Sequence, residues 1–154
     1  MPWLAYPATT MAQQLQRDLL ARYLEEHNLK HTKQRDVILE AFLIAKGHVT
    51  SDEVYQRVRE DHPNIGYTTV YRTMKLFAEA GLAQERHFDD GVTRYEIETE
   101  HHDHLVCLRC GKIIEFECEE IELAQAEIAS KHGFVVVRHR HELYGRCAAC
   151  ESGD

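Results

Sequence analysis

Two Cys-x-x-Cys pairs give this chain four thiols with the spacing of metal ligands. Cys107 and Cys110 form the first pair, and Cys147 and Cys150 form the second. The turn within each motif brings two sulfur atoms to one side, so two motifs can complete the tetrahedral four-sulfur shell of a structural zinc site. The 36 residues between the pairs exceed the spacing of a zinc ribbon, so a helix and a strand must return the second pair to the first. The alternative is buried or redox thiols without metal. Cys118 stands apart and is predicted to pack or to cap a helix.

A histidine-rich stretch directly before the first cysteine pair offers a second kind of ligand. Side chains alternate along an extended segment, so in HHDHLVCLRCGK His101 and Asp103 point to one side, and His102 and His104 to the other. A hairpin with its turn at the second cysteine pairs residues whose numbers sum to 219, which places Glu115 opposite His104. Imidazole and carboxylate ligands suit Fe²⁺, Mn²⁺ or Zn²⁺. The alternative is a solvated histidine-rich loop.

The segment before these ligands has helical periodicity. Four apolar stripes recur between Gln13 and Gly81; Thr32 is placed to cap the second helix, and Thr50 with Glu53 forms a capping box for the third. The fourth helix is predicted from about residue 67 to residue 80. The positions expected to face the core are Leu15, Leu19, Leu20, Tyr23, Leu24, Val37, Ile38, Ala41, Phe42, Ala45, Val54, Val58, Val70, Met74 and Phe77.

A hairpin is predicted after the fourth helix. The segment QERHFDDGVTRYEI contains two extended runs around Asp-Asp-Gly, a combination typical of a turn between antiparallel strands. Helices followed by a hairpin favour a winged helix-turn-helix, and a plain α-helical domain is the alternative.

The rest of the chain changes period, which predicts an α+β fold. LVCLRCGKIIEFE is predicted to form a tight hairpin, EEIELAQAEIASKHG an amphipathic helix, and GFVVVRHRHELYG a strand. We place the boundary between the two parts near residues 98–100. The predicted organisation is an N-terminal extension over 1–14, a helical domain with a hairpin over 15–98, and a zinc-bound α/β domain over 99–154.

Composition and charge limit the classes of protein that the chain can belong to. With 154 residues, 44% hydrophobic and 29% charged, it has the composition of a soluble globular protein. No signal peptide or membrane-spanning stretch is recognised, so a cytoplasmic protein without a membrane partner is predicted. The net charge is −8, with 12 Lys and Arg against 15 Asp and Glu through residue 98, and 6 against 11 after it. Binding to nucleic acid therefore requires a local basic face.

Four motifs together make the chain resemble the ferric uptake regulator (Fur) family of metal-dependent transcriptional repressors, from about residue 28 to residue 150. They are TTVYRTMKLFAEAGL, HHDHLVCLRCGKIIEF, EIASKHGF and ELYGRCAAC. The resemblance implies a homodimer with an N-terminal winged-helix DNA-binding domain and a C-terminal dimerisation domain. Whether dimers pair into tetramers is left open.

The resemblance also implies the role of each candidate ligand. One structural Zn²⁺ per subunit would be bound by Cys107, Cys110, Cys147 and Cys150. A regulatory ion, Fe²⁺ with Mn²⁺, Co²⁺ or Zn²⁺ as substitutes, would be bound by His48, Glu96, His102, His104 and Glu115. An additional site would comprise His101, Asp103, Glu122 and His139.

The fourth helix corresponds to the DNA recognition helix of the family. The resemblance places Tyr71 and Arg72 at the family's DNA-contact positions, with Thr69 beside them. An aromatic ring can pack on thymine methyl groups, and arginine can pair with guanine or phosphate. Lys30 matches a lysine that enters the narrow minor groove of A·T-rich DNA, and Lys33 and Arg35 are expected to contact phosphate. The net charge of −8 disfavours binding to DNA, but this basic run can supply the local positive face that binding requires.

The resemblance therefore predicts metal-dependent repression of metal uptake genes at A·T-rich palindromic operators, with Fe²⁺ as the co-repressor. The alternative within the family is a peroxide-sensing or zinc- or manganese-responsive member. A zinc hydrolase is the alternative from another class, but the chain lacks an H-E-x-x-H motif, and a closed four-sulfur shell leaves no open position for catalysis. No enzymatic activity and no small-molecule substrate are predicted.

Overall fold

The computed structural model describes residues 11–97 and 101–152, which form six helices and five strands. The predicted domain boundary near 98–100 lies outside the described residues, as does most of the predicted N-terminal extension. The elements in chain order are α1 (Met11–Glu26), α2 (Lys33–Ala45), α3 (Ser51–Asp61), α4 (Tyr67–Glu79), β1 (Ala83–His87), β2 (Thr93–Ile97), β3 (Asp103–Cys107), β4 (Ile113–Phe116), α5 (Glu119–Lys131), β5 (Glu142–Gly145) and α6 (Ala148–Glu151).

The chain divides into two units, and the predicted α+β class is confirmed. The N-terminal unit contains the described residues through 87 together with 91–97, and the C-terminal unit contains 88–90 and 101–152. The first unit is mainly helical and carries one hairpin. The second combines a three-stranded sheet with α5 and α6.

The capping signals in the sequence are confirmed. Thr32 caps α2 by accepting a hydrogen bond from the amide of Arg35. At the start of α3, the Thr50 hydroxyl accepts from the amide of Glu53, while the Glu53 carboxylate accepts from the amide of Thr50 at 2.7 Å. These bonds satisfy amide groups that have no partner within a helix, and so fix where each helix begins.

The core of the N-terminal unit comes from α1–α4 and the hairpin. Tyr95 of β2 lies in this core, and an isolated bridge pairs it with Val49 just before α3. Of the predicted core positions, Leu15 is wrong: its side chain is 54% exposed, because α1 buries only its later residues Leu20 and Leu24. Leu39 and Leu43, which the predicted stripe of α2 omits, are buried. The fully buried members are Leu20, Leu24, Ile38, Leu39, Phe42, Leu43, Val49, Val54, Val58, Ile65, Val70, Met74, Phe77, Leu82, Ala83 and Tyr95.

The sheet of the C-terminal unit has the order β4-β3-β5. β3 pairs antiparallel with β4, and the partners His104 and Glu115 confirm the predicted register. β3 also pairs in parallel with β5, with His104 opposite Glu142. A parallel neighbour requires a crossover, and α5 lies in the connection between β4 and β5.

The strand predicted over 133–145 is correct only at its end, because β5 spans Glu142–Gly145. The preceding Val-rich segment, residues 134–141, is not in a strand, and Val135 and Val137 are 87% and 94% exposed. A strand requires a hydrogen-bonded neighbour, and within the described chain the pairing with β3 begins at residue 142, preceded only by a hydrogen bond from the His104 amide to the His141 carbonyl oxygen. The predicted helix forms as α5, although none of its side chains is buried.

Candidate metal centres and nucleic-acid interface

The four predicted zinc ligands come together in the C-terminal unit. Cys107 ends β3, Cys110 follows in the hairpin turn, Cys147 precedes α6, and Cys150 lies within it. Their sulfur atoms lie within 4.8 Å of one another, and the Cys110 and Cys147 sulfurs are 3.8 Å apart. Zinc–sulfur bonds of ~2.3 Å in a tetrahedron give sulfur–sulfur edges of about 3.8 Å, so this cluster fits one zinc-sized ion.

Backbone amides favour the thiolate form at one of these cysteines. The amide of Cys147 lies 3.4 Å from the Cys107 sulfur, and together with the amide of Cys110 it lowers the pKa of Cys107 to about 6. Thiol groups of the neighbouring cysteines, Cys147 first, raise the pKa of Cys150 to about 12. A bound cation would remove this competition by stabilising all four thiolates.

A second cluster of ligand atoms includes two residues of the histidine-rich stretch. His101, Asp103, Glu122 and His139 have ligand atoms within 4.8 Å of one another. The Nε2 atoms of His101 and His139 are 2.8 Å apart, and they lie 3.2 and 3.1 Å from Glu122 Oε1. Ligand atoms ~2.1 Å from one ion are about 3.0–3.4 Å apart. Both distances to Glu122 fall in this range and the distance between the two imidazole nitrogens is slightly shorter, so the three groups can approach a shared divalent cation.

The Asp103 carboxylate supplies independent evidence for that cation. Its side chain is 1% exposed, yet among the described residues neither of its oxygen atoms has a hydrogen bond. A buried carboxylate whose oxygens accept no hydrogen bond is unfavourable. Because a divalent ion would satisfy this group, the donor set fits a metal.

The N-terminal unit contributes a buried imidazole–carboxylate pair. His48 Nε2 lies 2.7 Å from Glu96 Oε2, and Arg86 donates to Glu96 Oε1 from the neighbouring strand β1. Burial alone would raise the pKa of Glu96, but the hydrogen bonds from His48 and Arg86 outweigh it and lower the pKa to about 2. Glu96 is therefore ionised over the physiological pH range, as a metal ligand must be.

The remaining predicted regulatory ligands lie in the C-terminal unit. The rings of His102 and His104 approach each other edge to face, with centroids 4.9 Å apart. His104 is buried at the start of β3, and Glu115 lies opposite it on β4 with a largely exposed side chain. The alternation predicted from the sequence is thus present, with His101 and Asp103 grouped together and His102 beside His104.

The predicted DNA contacts on α4 lie on its accessible side. Tyr71 and Arg72 are exposed, and Thr69 is half-buried. Tyr71 stacks on Tyr67 at a centroid distance of 6.3 Å, and the Tyr67 ring packs edge to face on Tyr55 of α3. The predicted contact residues do not include Tyr67, although its spacing of four residues from Tyr71 places both rings on one face of a helix.

The basic residues just before α2 and in its first turn form a second accessible group. Lys30 and Lys33 are exposed, and Arg35 is half-buried and donates to the carbonyl oxygen of Lys30. This bond fixes the backbone that carries Lys30. The group can therefore present positive charge to phosphate from an ordered segment.

The family comparison decides the identity of the fold. A model described as the ferric uptake regulator family matches residues 26–144. The chain belongs to the ferric uptake regulator family. Members of this family are metal-binding, DNA-binding regulators of transcription and not enzymes, so the zinc hydrolase alternative is rejected.

Individual members of the ferric uptake regulator family are similar along most of the chain. The ferric uptake regulation protein of Campylobacter jejuni is 41% identical over 140 residues, which cover 87% of this chain and 89% of that protein. The solved structure of the Helicobacter pylori ferric uptake regulator, described as having three functional metal-binding sites, gives a TM-score of 0.85 at 28% identity, covering 92% of this chain and 95% of that one. A zinc-bound manganese uptake regulator gives 0.67 at 42% identity, covering 84% and 98%.

No helix within residues 11–97 and 101–152 is long and apolar enough to cross a membrane.

Proposed function

We propose that this chain is a cytoplasmic, Fe²⁺-dependent repressor of metal uptake genes that binds A·T-rich palindromic operators as a homodimer. One observation carries the proposal: the ligands divide into a four-sulfur cluster and separate imidazole–carboxylate sets. Four thiolates suit a permanent zinc ion, whereas imidazole and carboxylate groups suit an exchangeable divalent ion. This division provides one metal for structure and another for sensing.

Structural zinc is assigned to the four-cysteine cluster. The 3.8 Å sulfur–sulfur distance and the thiolate character of Cys107 support this assignment. The ion would connect the β3–β4 turn to α6. We therefore expect the C-terminal unit to depend on zinc for its fold.

The regulatory ion is assigned to His48 and Glu96 of the N-terminal unit together with His102, His104 and Glu115 of the C-terminal unit. Support comes from the buried His48–Glu96 pair and from the adjacent His102 and His104 rings. Only five residues separate Glu96 from His102 in the sequence. The additional set, His101, Asp103, Glu122 and His139, is assigned to a further ion.

Shared ligation explains how metal would control DNA binding. Ligands from both units bind one ion best in a single arrangement of the units, so ion binding shifts the population toward that arrangement. In a dimer this fixes the spacing of the two recognition helices against a two-fold related operator. Linkage requires DNA to strengthen metal binding equally, and such couplings are typically about 1–3 kcal/mol.

We assign residues 15–98 to the DNA-binding domain and residues 99–154 to the dimerisation domain, with residues 1–14 as an extension. The exposed face of α4 presents Thr69, Tyr71 and Arg72 to base edges. The basic residues Lys30, Lys33 and Arg35 contact the minor groove and phosphates in this proposal. The exposed valines before β5 are candidates for the contact with a second copy.

The similar proteins include both ferric and manganese uptake regulators, so similarity does not distinguish the two metals. The choice of iron therefore rests on the type of ligand. Family members that sense peroxide resemble this arrangement but carry aspartate where Glu96 and Glu115 stand. Zinc responders often include a thiolate in the regulatory set, and none is assigned here. A manganese- or zinc-responsive regulator is the second candidate, favoured by the 42% identity to the zinc-bound manganese uptake regulator.

DNA binding by the zinc-loaded protein tests the proposal. Fluorescence anisotropy on a labelled A·T-rich palindrome, with Fe²⁺ under anaerobic conditions, Mn²⁺, Zn²⁺ or chelator, should show tightening of about 5–150-fold by metal, the range of such couplings. His104→Ala should keep the structural zinc and lose the response to metal. Equal affinity with chelator and with every metal would overturn the proposal, and a response to Mn²⁺ or Zn²⁺ but not Fe²⁺ would favour the second candidate.

A further inference from the structure

His141 lies directly before β5, beside the buried Asp103 carboxylate. The register of β3 and β5 pairs His104 with Glu142, so one residue earlier His141 lies alongside Asp103. Its Nδ1 atom is 3.5 Å from Asp103 Oδ2. That nitrogen is buried and, like both oxygens of Asp103, has no hydrogen-bond partner within the described residues.

The two oxygens of Asp103 face different neighbours. Oδ1 is 3.4 Å from His101 Nε2 and so faces the additional ligand set, whereas Oδ2 faces His141. A carboxylate that binds an ion through one oxygen leaves the other to an outer hydrogen-bond donor. His141 is placed to be that donor, and closing the distance by about 0.5 Å would bring it to ordinary hydrogen-bond length.

Two further contacts hold His141 in this position. Its carbonyl oxygen accepts a hydrogen bond from the amide of His104 at 3.2 Å, and its ring packs edge to face on Phe116 with centroids 6.0 Å apart. Its backbone therefore contacts a regulatory ligand while its side chain faces a ligand of the additional set. The four-residue cluster with ligand atoms within 4.8 Å does not include His141, which separates its position from those of the ligands.

We propose that His141 is a positioning residue for the additional metal site, donating a hydrogen bond from Nδ1 to Asp103 Oδ2 so that Oδ1 is directed at the ion. The inference rests on the additional site proposed above. Loss of an outer-shell partner of this kind typically weakens metal binding about 10–100-fold.

Cobalt titration of the zinc-loaded full chain tests this role. A His48→Ala background weakens the regulatory set from the N-terminal unit, so that Co²⁺ reports on the additional site. His141→Leu should weaken Co²⁺ binding about 10–100-fold without changing zinc content. His141→Asn should recover affinity to within about threefold, because the asparagine amide nitrogen can take the position of Nδ1. His132→Leu, at an exposed histidine beyond α5, is the matched control and should have no effect.

The cobalt absorption spectrum separates positioning from ligation. If His141 positions Asp103, the spectrum at saturation should be unchanged in His141→Asn; an equal spectral change in both variants would make it a ligand and overturn the proposal. An affinity within twofold of the parent in His141→Leu would also overturn it. Asp103→Asn tests the site itself: if that change leaves cobalt stoichiometry and affinity unaltered, the additional site fails and His141 loses this role with it. Unchanged circular dichroism and retained zinc exclude unfolding as the cause of any loss.

Discussion

The two units of this chain bury apolar side chains to very different extents. The N-terminal unit has a continuous core drawn from four helices and a hairpin. In the C-terminal unit α5 buries no side chain, and the row Leu105, Ile114 and Leu143 across the three strands is exposed. A small domain with so little buried area requires a metal or a partner subunit for stability. The difference indicates that the N-terminal unit is stable by packing, and it leads us to expect that the C-terminal unit depends on the proposed zinc ion and on dimerisation.

Removal of the proposed structural zinc is expected to perturb this difference most. Cys107→Ser should abolish zinc binding, unfold the C-terminal unit and dissociate the dimer, because structural zinc supplies about 10 kcal/mol or more of folding free energy. Hydrogen exchange should show that the amides of α2–α4 stay protected. Cys118→Ser is the control, with unchanged zinc content and dimer mass. Global loss of protection in Cys107→Ser would contradict the independence of the two units.

The converse perturbation targets the core of the N-terminal unit. Phe77 of α4 is completely buried, so Phe77→Ala should lower the free energy of unfolding of this unit by about 3–5 kcal/mol. Denaturant titration followed by circular dichroism measures the change, and zinc content should stay at one ion per chain. Leu15→Ala, at an exposed position of α1, should cost less than about 0.5 kcal/mol. Zinc loss from Phe77→Ala would show that the units unfold together.

Acid should weaken the N-terminal unit through Glu96. The pKa of Glu96 is lowered from its usual 4.5 to about 2, so the unfolded chain binds the proton more tightly than the folded one. The resulting stability, up to about 3 kcal/mol, is present above pH 4.5 and is lost as the pH falls toward 2. With the regulatory ion chelated, hydrogen exchange of β1 and β2 should show this decline, and Glu96→Gln should remove it. An identical pH profile in the variant would contradict the assignment.

A smaller effect is expected at the exposed valines of the C-terminal unit. Val137→Asp should weaken the dimer at least about tenfold, roughly 1.4 kcal/mol, because it places a charge where apolar contact with a second copy is expected. Sedimentation velocity across a concentration series measures the shift. Ile44→Asp changes an exposed apolar residue of α2 and should leave the dimer intact. Equal dimerisation in both variants would remove residues 134–137 from the interface.

Local signals in the sequence predicted most of the fold. Capping residues Thr32 and Thr50 located two helices, and the rule that partners sum to 219 gave the β3–β4 register, because both depend on neighbours close in sequence. The predicted last strand begins too early, at residue 133 instead of Glu142, because strand propensity does not reveal whether a partner strand is present. Leu15 is wrongly predicted to face the core, because a stripe of apolar residues does not show where the facing helices end.

The grouping of the candidate ligands can also be predicted from the sequence. Alternation along an extended segment separated His101 and Asp103 from His102 and His104, and this required only the backbone period. His141 and Arg86 escaped notice because their roles depend on contacts across strands, to Asp103 and Glu96 respectively. A residue that acts on a ligand carries no spacing signal of its own.

The parallel pairing of β3 with β5 has a consequence for how the chain assembles. His104 and its partner Glu142 are 38 positions apart, so this contact closes a long loop, whereas the helices of the other unit form from neighbours. Closing such a loop costs entropy before zinc or packing can offset it, and contacts distant in sequence slow folding. Cys107 and Cys110 can therefore bind a cation early, in an incomplete complex that is open to chelators. Cys147 and Cys150 complete the site only after β5 has paired with β3. Newly made protein should therefore pass through a period when its N-terminal unit is already folded and its C-terminal unit is not.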